Sequence, residues 1–514
     1  MNYLEVDKKV ANVGRGLRTL GLKPRDKIVI YAATNADWLI MALASFQHSI
    51  VVVTIYSTLG QEGAVHGISQ TDATVVVVSQ STISSLITIL PQCPNITNVI
   101  YICDSNEEFE NINIENRRVN VLSFYELISQ ESSKMDISLS PPGPEDTAVI
   151  MYTSGSSGDP KGVVLTHKNI TSTVQSSLSY LADRENDIYI AYLPLAHIFE
   201  MSFELVVLIL GIPIGYSNPF RLMDKGPSGT MVAKGSTGDL MALKPTMFSC
   251  VPLILERIQK SIQNKVQENN PLLTELIHLC FCYKNKWNLK GYDTTIMDRL
   301  IFNKFFKNPV GLENLSLIVC GGAALNPETQ EFIRVCLNTT VAQGYGLTET
   351  CACGCINSPL DFYSKGNVGS PQAGIDIKLV NWEEGGYKVT GKPPRGEIII
   401  GGNHVAKEYF NMPNKTKEAF FNDDGKRWFR TGDIGQVLEN GLFEIIDRKK
   451  DLVKLSGGEY IALGKVESAL KLHPLIENVC VVYGGASKDF LVAIVVLENK
   501  NSNDNDSEEE ILKI

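Results

Sequence analysis

The stretch Thr147-Ala-Val-Ile-Met-Tyr-Thr-Ser-Gly-Ser-Ser-Gly-Asp-Pro-Lys161-Gly162 sets the architecture. Its first half, residues 147–152, is a short apolar run with the length of a buried strand. Its second half is a loop of two glycines, four hydroxyl residues (Thr153, Ser154, Ser156, Ser157) and one lysine. In α/β folds, loops at the carboxyl ends of strands hold the ligands. Gly155 and Gly158 let the backbone turn its amides toward a polyphosphate, the hydroxyls add donors, and Lys161 adds charge. A Walker A loop needs Gly-Lys-Ser/Thr leading into a helix, whereas here Gly158 is followed by Asp159 and Pro160. The strand before the loop and the Pro-Lys-Gly after it distinguish it from a Ser/Gly-rich surface turn.

Outward from this point the same texture repeats. Residues 27–32, 50–56, 74–79, 99–103 and 316–320 are Val/Ile-rich runs that predict further buried strands. Residues 36–46, 253–266 and 327–337 predict helices, the last with Asn326 as N-cap and Pro327 in its first turn. Alternation of this kind predicts an α/β fold with largely parallel sheets. The polar, acid-rich residues 104–120 are expected to form a surface insertion, and the Gly/Lys/Ser-rich residues 225–238 an exposed loop. After Asp361 short strand signals punctuated by Gly and Pro predict a smaller, twisted β region. No internal repeat is present.

At roughly 150 residues per domain, 514 residues suggest two to four domains. The net charge of −10, with 44% apolar residues, excludes a disordered chain and argues against binding a nucleic-acid backbone, which needs a basic face. Part of the acid excess sits in the last fourteen residues, with five acids against Lys513. Eleven cysteines, odd in number and scattered, point to a reducing compartment. Cys351, Cys353 and Cys355 are expected to be small buried thiols. No stretch has the make-up of a signal peptide. The longest apolar runs, 50–56 and 205–214, fall short of the roughly 18 residues a bilayer span needs, so no crossing is expected.

A second motif is Gln343-Gly-Tyr-Gly-Leu-Thr-Glu349-Thr350. A carboxylate beside a hydroxyl on a glycine-flanked loop suits a Mg²⁺ ion shared with phosphate oxygens. Tyr345 between Gly344 and Gly346 offers a flat face for a base. Its companions are Arg430-Thr-Gly-Asp433-Ile-Gly435 and Ile446-Asp447-Arg448-Lys449-Lys450-Asp451. A carboxylate such as Asp433 can hold both ribose hydroxyls, and an arginine can brace the same sugar. The lysines read alone would be a solvated charge run.

In this order and spacing the motifs resemble the adenylate-forming (AMP-binding) superfamily of acyl-CoA synthetases, luciferases and peptide-synthetase adenylation domains. The run from Trp428-Phe-Arg-Thr-Gly-Asp-Ile-Gly to Ile445-Ile-Asp-Arg-Lys-Lys-Asp-Leu-Val-Lys454 is similar to the fatty-acyl-CoA synthetase signature. Tyr192-Leu-Pro-Leu-Ala-His-Ile-Phe-Glu200, Cys320-Gly-Gly-Ala-Ala-Leu325 and Ser456-Gly-Gly-Glu-Tyr-Ile461-Ala-Leu-Gly-Lys-Val-Glu467 resemble the eukaryotic long-chain acyl-CoA synthetases (long-chain fatty-acid–CoA ligases). The resemblance implies a large N-terminal domain, residues 1–447, of two α/β subdomains plus a β-rich subdomain. A small α+β C-terminal domain, residues 448–514, follows, incomplete beside that pattern.

The implied reaction joins a long-chain fatty acid to CoA with ATP, through acyl-AMP, releasing AMP and diphosphate. By resemblance Thr153, Ser154, Gly155, Ser156, Ser157, Gly158 and Lys161 embrace the phosphates, and Thr153 with Glu349 holds Mg²⁺. Gly322 and Ala323 line the adenine and acyl site, Tyr345 and Gly346 face adenine, Thr348 contacts the α-phosphate, and Asp433 and Arg448 hold the ribose. His197 is expected beside the reacting carboxylate, Lys450 at the hinge between the domains, and Lys454 at the cleft during thioester formation. The family's adenylation lysine lies in a late segment with no match after Leu463, and Lys513 does not take that role, so poor adenylation is expected of this sequence. The first residues resemble the middle of the family's first helical region, before which eukaryotic relatives have further sequence, often including a membrane anchor. A non-catalytic ATP- or acyl-AMP-binding regulatory protein, or a ligase for another carboxylic acid, is the competing reading. Relatives work inside the cell at the endoplasmic reticulum and other organelle membranes, where an apolar patch would allow peripheral docking. No nucleic-acid partner is expected.

Overall fold

The computed structural model describes residues 1–102, 112–114, 117–129, 138–153, 160–181, 184, 186–223, 236–267, 270–358, 364–454, 460–473, 475–483 and 490–497. Strands Thr147–Thr153, Val51–Thr54, Lys27–Tyr31, Val75–Ser79, Asn98–Ile102 and Arg117–Ser123 lie side by side in parallel. Antiparallel strands extend both edges of this nine-stranded sheet. In Lys27–Tyr31, Ile28 and Ile30 enter one core while Val29 and Tyr31 enter another. Both faces are therefore buried, which is why the run is apolar without alternation.

The second sheet runs Ile214–Tyr216, Tyr189–Ala191, Met247–Cys250, Leu317–Cys320 and Thr340–Tyr345 in parallel, with two short antiparallel strands beyond. The largest core joins one face of each sheet through helices Ala36–Gln47, His167–Leu181 and Ile198–Ile209. The other face of the second sheet packs on helices Pro252–Gln267 and Pro327–Leu337. Asn326 caps the latter as its sequence predicts, its side chain accepting from the Glu328 amide at 2.8 Å.

A third sheet is antiparallel: Ile375–Val380, Arg395–Gly402, Lys426–Val437, Phe420–Asp423 and Phe443–Arg448. This is the smaller β region expected after Asp361. Two hairpins follow, Leu452–Lys454 with Tyr460–Ala462 and Ile476–Tyr483 with Leu491–Leu497, flanking helix Leu463–Leu470.

The reading of 104–120 as a surface insertion is corrected at 117–120, while residues 104–111, 115 and 116 lie outside the described residues. Arg117–Ser123 is a sheet strand pairing in parallel with Asn98–Ile102. Val119 is fully buried while Arg118 and Asn120 are exposed, a period of two that polar composition hides. Of residues 225–238, only 236–238 lie within the described chain. Cys351, Cys353 and Cys355 are all buried, and burial pushes each thiol up, as befits packed rather than reactive sulfur. Among the described residues no helix is long and apolar enough to cross a membrane.

Candidate active site

A cleft of about 800 Å³ opens at the carboxyl ends of the parallel strands. Thr153 ends its strand there, Gly321 and Gly322 follow Leu317–Cys320, and Gly346 follows Thr340–Tyr345. Gly322 sits at φ +83°, a conformation glycine reaches without strain. At Gly346 a Cβ would lie 2.1 Å from the Ala352 carbonyl oxygen. Only glycine allows the turn that brings Thr348 and Glu349 to the cleft.

The cleft gathers Thr153, Lys161, His197, Gly322, Gly346, Thr348, Glu349, Asp433, Arg448 and Lys450 from the sequence expectation. Ser154, Gly155, Ser156, Ser157 and Gly158 lie outside the described residues. Ala323 and Tyr345 are not among the lining residues. Lys454 is not either; it is exposed on its strand, its ammonium 5.7 Å from the Tyr460 ring.

Asp433 and Arg448 are register partners on adjacent antiparallel strands. The Arg448 Nε lies 3.4 Å from Asp433 Oδ1. The Tyr345 hydroxyl donates to Asp433 Oδ2 at 2.7 Å, so this tyrosine braces the carboxylate. Burial raises the Asp433 carboxyl above the ordinary aspartate value, and Tyr345 and Arg448 pull it back down. The group stays an acceptor with its position fixed from two sides.

Glu349 is held from a direction the sequence motifs did not reveal. The Tyr409 hydroxyl donates to its Oε1 at 2.7 Å, and its backbone carbonyl accepts from the Ala406 amide at 2.8 Å. Tyr409 belongs to a two-residue strand paired with Lys161–Thr166, and the Lys161 ammonium stands 5.2 Å from its ring. One tyrosine thus ties the lysine strand to the carboxylate. Among the described residues Glu349 Oε2 takes no hydrogen bond, so a hard-oxygen carboxylate stays available in the cleft that Thr153 also lines. One carboxylate with phosphate oxygens and water is a donor set that Mg²⁺ accepts, and the residues fit it.

His197 caps helix Ile198–Ile209, its Nδ1 accepting from the Phe199 amide at 3.0 Å. Burial lowers its pKa to about 4, so the ring is neutral at ordinary pH. With Nδ1 accepting, the proton is assigned to Nε2, which makes the ring a donor toward the cleft. Behind it on the same helix, Glu200 and Glu204 are fully buried. Glu200 receives the Tyr189 hydroxyl at 2.9 Å and Glu204 the Tyr216 hydroxyl at 2.7 Å. Burial raises both carboxyls, Glu204 to about 8.

Glu397 is a second residue the sequence motifs left out. Buried on Arg395–Gly402, it accepts from Lys449 Nζ at 2.8 Å and from the Gly432 amide at 3.3 Å. Its place before an Ile-rich run marks it in sequence only as a strand residue. Leu181, Phe199, Phe203, Val319 and Ile356 supply an apolar wall to the same cleft.

The AMP-binding enzyme family matches residues 1–410. Long chain acyl-CoA synthetase 8 of Arabidopsis thaliana is 38% identical over 509 residues, covering 96% of this chain and 69% of the relative. Long-chain-fatty-acid–CoA ligase 1 of Schizosaccharomyces pombe is 36% identical over 502 residues, covering 96% and 72%. Among solved structures, the A domain of a carboxylic acid reductase from Segniliparus rugosus, in complex with AMP and a co-purified carboxylic acid, superposes with TM-score 0.76. Its identity is 20%, covering 97% of this chain and 75% of that one. An anthranilate CoA ligase in complex with anthranoyl-AMP gives TM-score 0.75 at 20% identity, covering 100% and 84%. At that identity the structures speak for the fold, which is the α/β arrangement expected from the strand pattern. The family match and the curated relatives go further: this chain belongs to the AMP-binding enzymes, among the long-chain acyl-CoA synthetases.

Proposed function

We propose that the cleft activates a long-chain fatty acid with ATP, forming acyl-AMP and diphosphate, and then passes the acyl group to CoA with release of AMP. The observation that carries the reading is convergence: Lys161, Thr348, Glu349 and the Asp433–Arg448 pair line one cleft beside an apolar wall. Phosphate, ribose and alkyl chain each find chemistry that suits them.

A fatty carboxylate is already ionised at neutral pH, so its attack on the α-phosphorus needs no general base. The difficulty is bringing two anions together, which calls for fixed positive charge and alignment. Lys161, with Thr153 and the loop 154–158, takes the β- and γ-phosphates, and Thr348 the α-phosphate. Asp433 accepts from the ribose hydroxyls while Arg448 braces the sugar, adenine lies by Gly322 and Gly346, and Tyr345 acts from behind by holding Asp433. The Nε2–H of neutral His197 orients the fatty carboxylate without taking its proton. Mg²⁺, when bound, neutralises phosphate charge, with Glu349 and Thr153 as the side chains that hold it.

Residues 1–447 form the adenylation domain in this reading, and 448–514 turn about Lys450 between the half-reactions. Lys449 and Lys450 already stand at the cleft, and the turn carries Lys454 toward it for thioester formation. The fatty-acid substrate, with ATP and CoA, supports a position inside the cell, peripheral to an organelle membrane such as the endoplasmic reticulum.

The test is single-turnover transfer from supplied palmitoyl-AMP to CoA, run beside Mg-ATP binding by calorimetry. CoA-dependent appearance of palmitoyl-CoA and AMP, with benzoyl-AMP a poorer donor, is expected. Tight binding of ATP and palmitoyl-AMP without any acyl-CoA would leave a nucleotide-binding protein and overturn the enzyme reading.

A further inference from the structure

Helix Pro271–Asn288 is apolar on both sides. Its inner face is accounted for: Ile277 and Cys280 are buried in the core of the second sheet, and Phe281 meets Phe332 with ring centroids 5.5 Å apart. Its outer face repeats Leu272, Leu276, Leu279 and Tyr283, spaced four, three and four residues apart, which is one continuous stripe. Ile296 and Leu300, in the helical residues that follow, are exposed apolar side chains as well. These six side chains are between 51% and 81% exposed. A helix that already buries one face needs no apolar residues on the other, so a ridge of this extent marks a surface that something covers.

The surroundings indicate what covers it. At the carboxyl end of the stripe Tyr283, Trp287 and Tyr292 form a chain of rings with centroids 5.9 and 5.5 Å apart. The Lys290 ammonium lies 5.2 Å from the Trp287 ring. Across residues 270–308 the exposed charges are Lys286, Lys290, Arg299 and Lys304 against Glu275 and Asp293, a local basic excess on a chain of net charge −10. Tyrosine and tryptophan beside lysine, next to aliphatic side chains, is the composition that settles at the boundary between headgroups and acyl chains.

We propose that the outer face of Pro271–Asn288, with Ile296 and Leu300, docks on an anionic lipid bilayer, its leucines in the acyl region and its lysines among the headgroups. The argument uses the surface alone, so vesicle binding and acyl transfer can fail separately. The experiment is flotation with phosphatidylcholine vesicles, with and without phosphatidylserine, together with quenching of Trp287 fluorescence by lipids brominated on the acyl chain. Binding favoured by phosphatidylserine is expected, with quenching that Trp287→Phe abolishes. The double variant Leu276→Glu/Leu279→Glu should weaken partitioning roughly tenfold or more. The second variant Ile296→Glu/Leu300→Glu should do the same without sharing a helix turn with the first, which guards against misfolding of either. Failure of the wild-type chain to bind vesicles, or equal binding by both variants, overturns the proposal. So does a dimer in light scattering that the same variants dissolve, since the face would then meet a second copy.

Discussion

At the scale of single residues, the site is a set of charged groups held by named neighbours, Asp433 by two and the Glu349 side chain by one. Glu349 is pinned through one oxygen by Tyr409, which leaves the other for a cation. Glu349→Gln keeps the Tyr409 contact and removes the charge; Mg-ATP affinity measured by calorimetry should fall at least roughly tenfold, and EDTA should then make little further difference to the variant. An unchanged Mg²⁺ requirement would sink the metal assignment. Asp433 offers a pH test. Its raised carboxyl pKa means that acidification protonates the ribose acceptor, so AMP affinity should decline as pH falls toward that value. Asp433→Asn should bind AMP weakly at every pH and lose the decline. His197, lowered from 6.5 to about 4, is already neutral in the usual imidazole range. The rate of acyl transfer should therefore show no titration step near 6.5 that His197→Gln removes.

At the scale of elements, helix Ile198–Ile209 carries His197 at its start and two buried carboxyls within it. Their pKa values are raised, so in the folded chain they keep protons that the unfolded chain gives up from about 4.5, the ordinary glutamate value. Above that pH the native state binds more protons than the unfolded one, so stability must fall as pH rises. For Glu204 the loss continues until its own value of about 8, at up to about 1.4 kcal/mol per pH unit. Glu204→Gln retains an acceptor for Tyr216 and should flatten this decline; Tm followed from acid to mildly alkaline pH checks it. An unaltered slope would mean that the carboxyl ionises without cost. The turn after strand Thr340–Tyr345 has its own requirement. Gly346→Ala would drive a Cβ into the Ala352 carbonyl, displacing Thr348 and Glu349 together.

At the scale of the whole molecule, among the described residues several contacts between the C-terminal elements and the body are polar, beside the Trp382–Tyr460 ring contact. Asp447 accepts from the Gly464 amide at 3.2 Å, Lys260 reaches the Ile476 carbonyl at 2.5 Å, and Glu397 holds Lys449. Such a polar seam suits a joint that opens more than a permanent core. Lys450→Pro would fix φ at the proposed hinge. Mg-ATP binding should be preserved while transfer from palmitoyl-AMP to CoA drops by roughly tenfold or more. Equal loss in both measurements would show a local structural effect instead of a blocked rotation.

Much of this was legible in the amino-acid order. Strands buried on both faces are apolar throughout, so Lys27–Tyr31 and Val75–Ser79 stood out in the sequence. Loops that bind phosphate concentrate glycine, hydroxyl and lysine, so the segment from Thr153 to Lys161 did as well. Asp433 and Arg448 were expected on one sugar by resemblance alone, and the structure added that they are register partners on adjacent antiparallel strands. What escaped was what depends on contacts distant in sequence. Tyr409 reaches Glu349 across 60 residues, Glu397 reaches Lys449 across 52, and Tyr345 meets Asp433 across 88. The strand Arg117–Ser123 was hidden because its exposed residues are polar and only its inward positions follow the core. The exposed ridge on Pro271–Asn288 went unread in the sequence, where nothing separates an outward apolar stripe from a core-facing one. Composition along the chain determined most of the strands and marked the glycine- and hydroxyl-rich loop after Thr153, since those depend on local spacing and burial. Only the tertiary structure decided which carboxylate braces which cation and which apolar face stays outside, because those follow from where distant strands and helices come to lie.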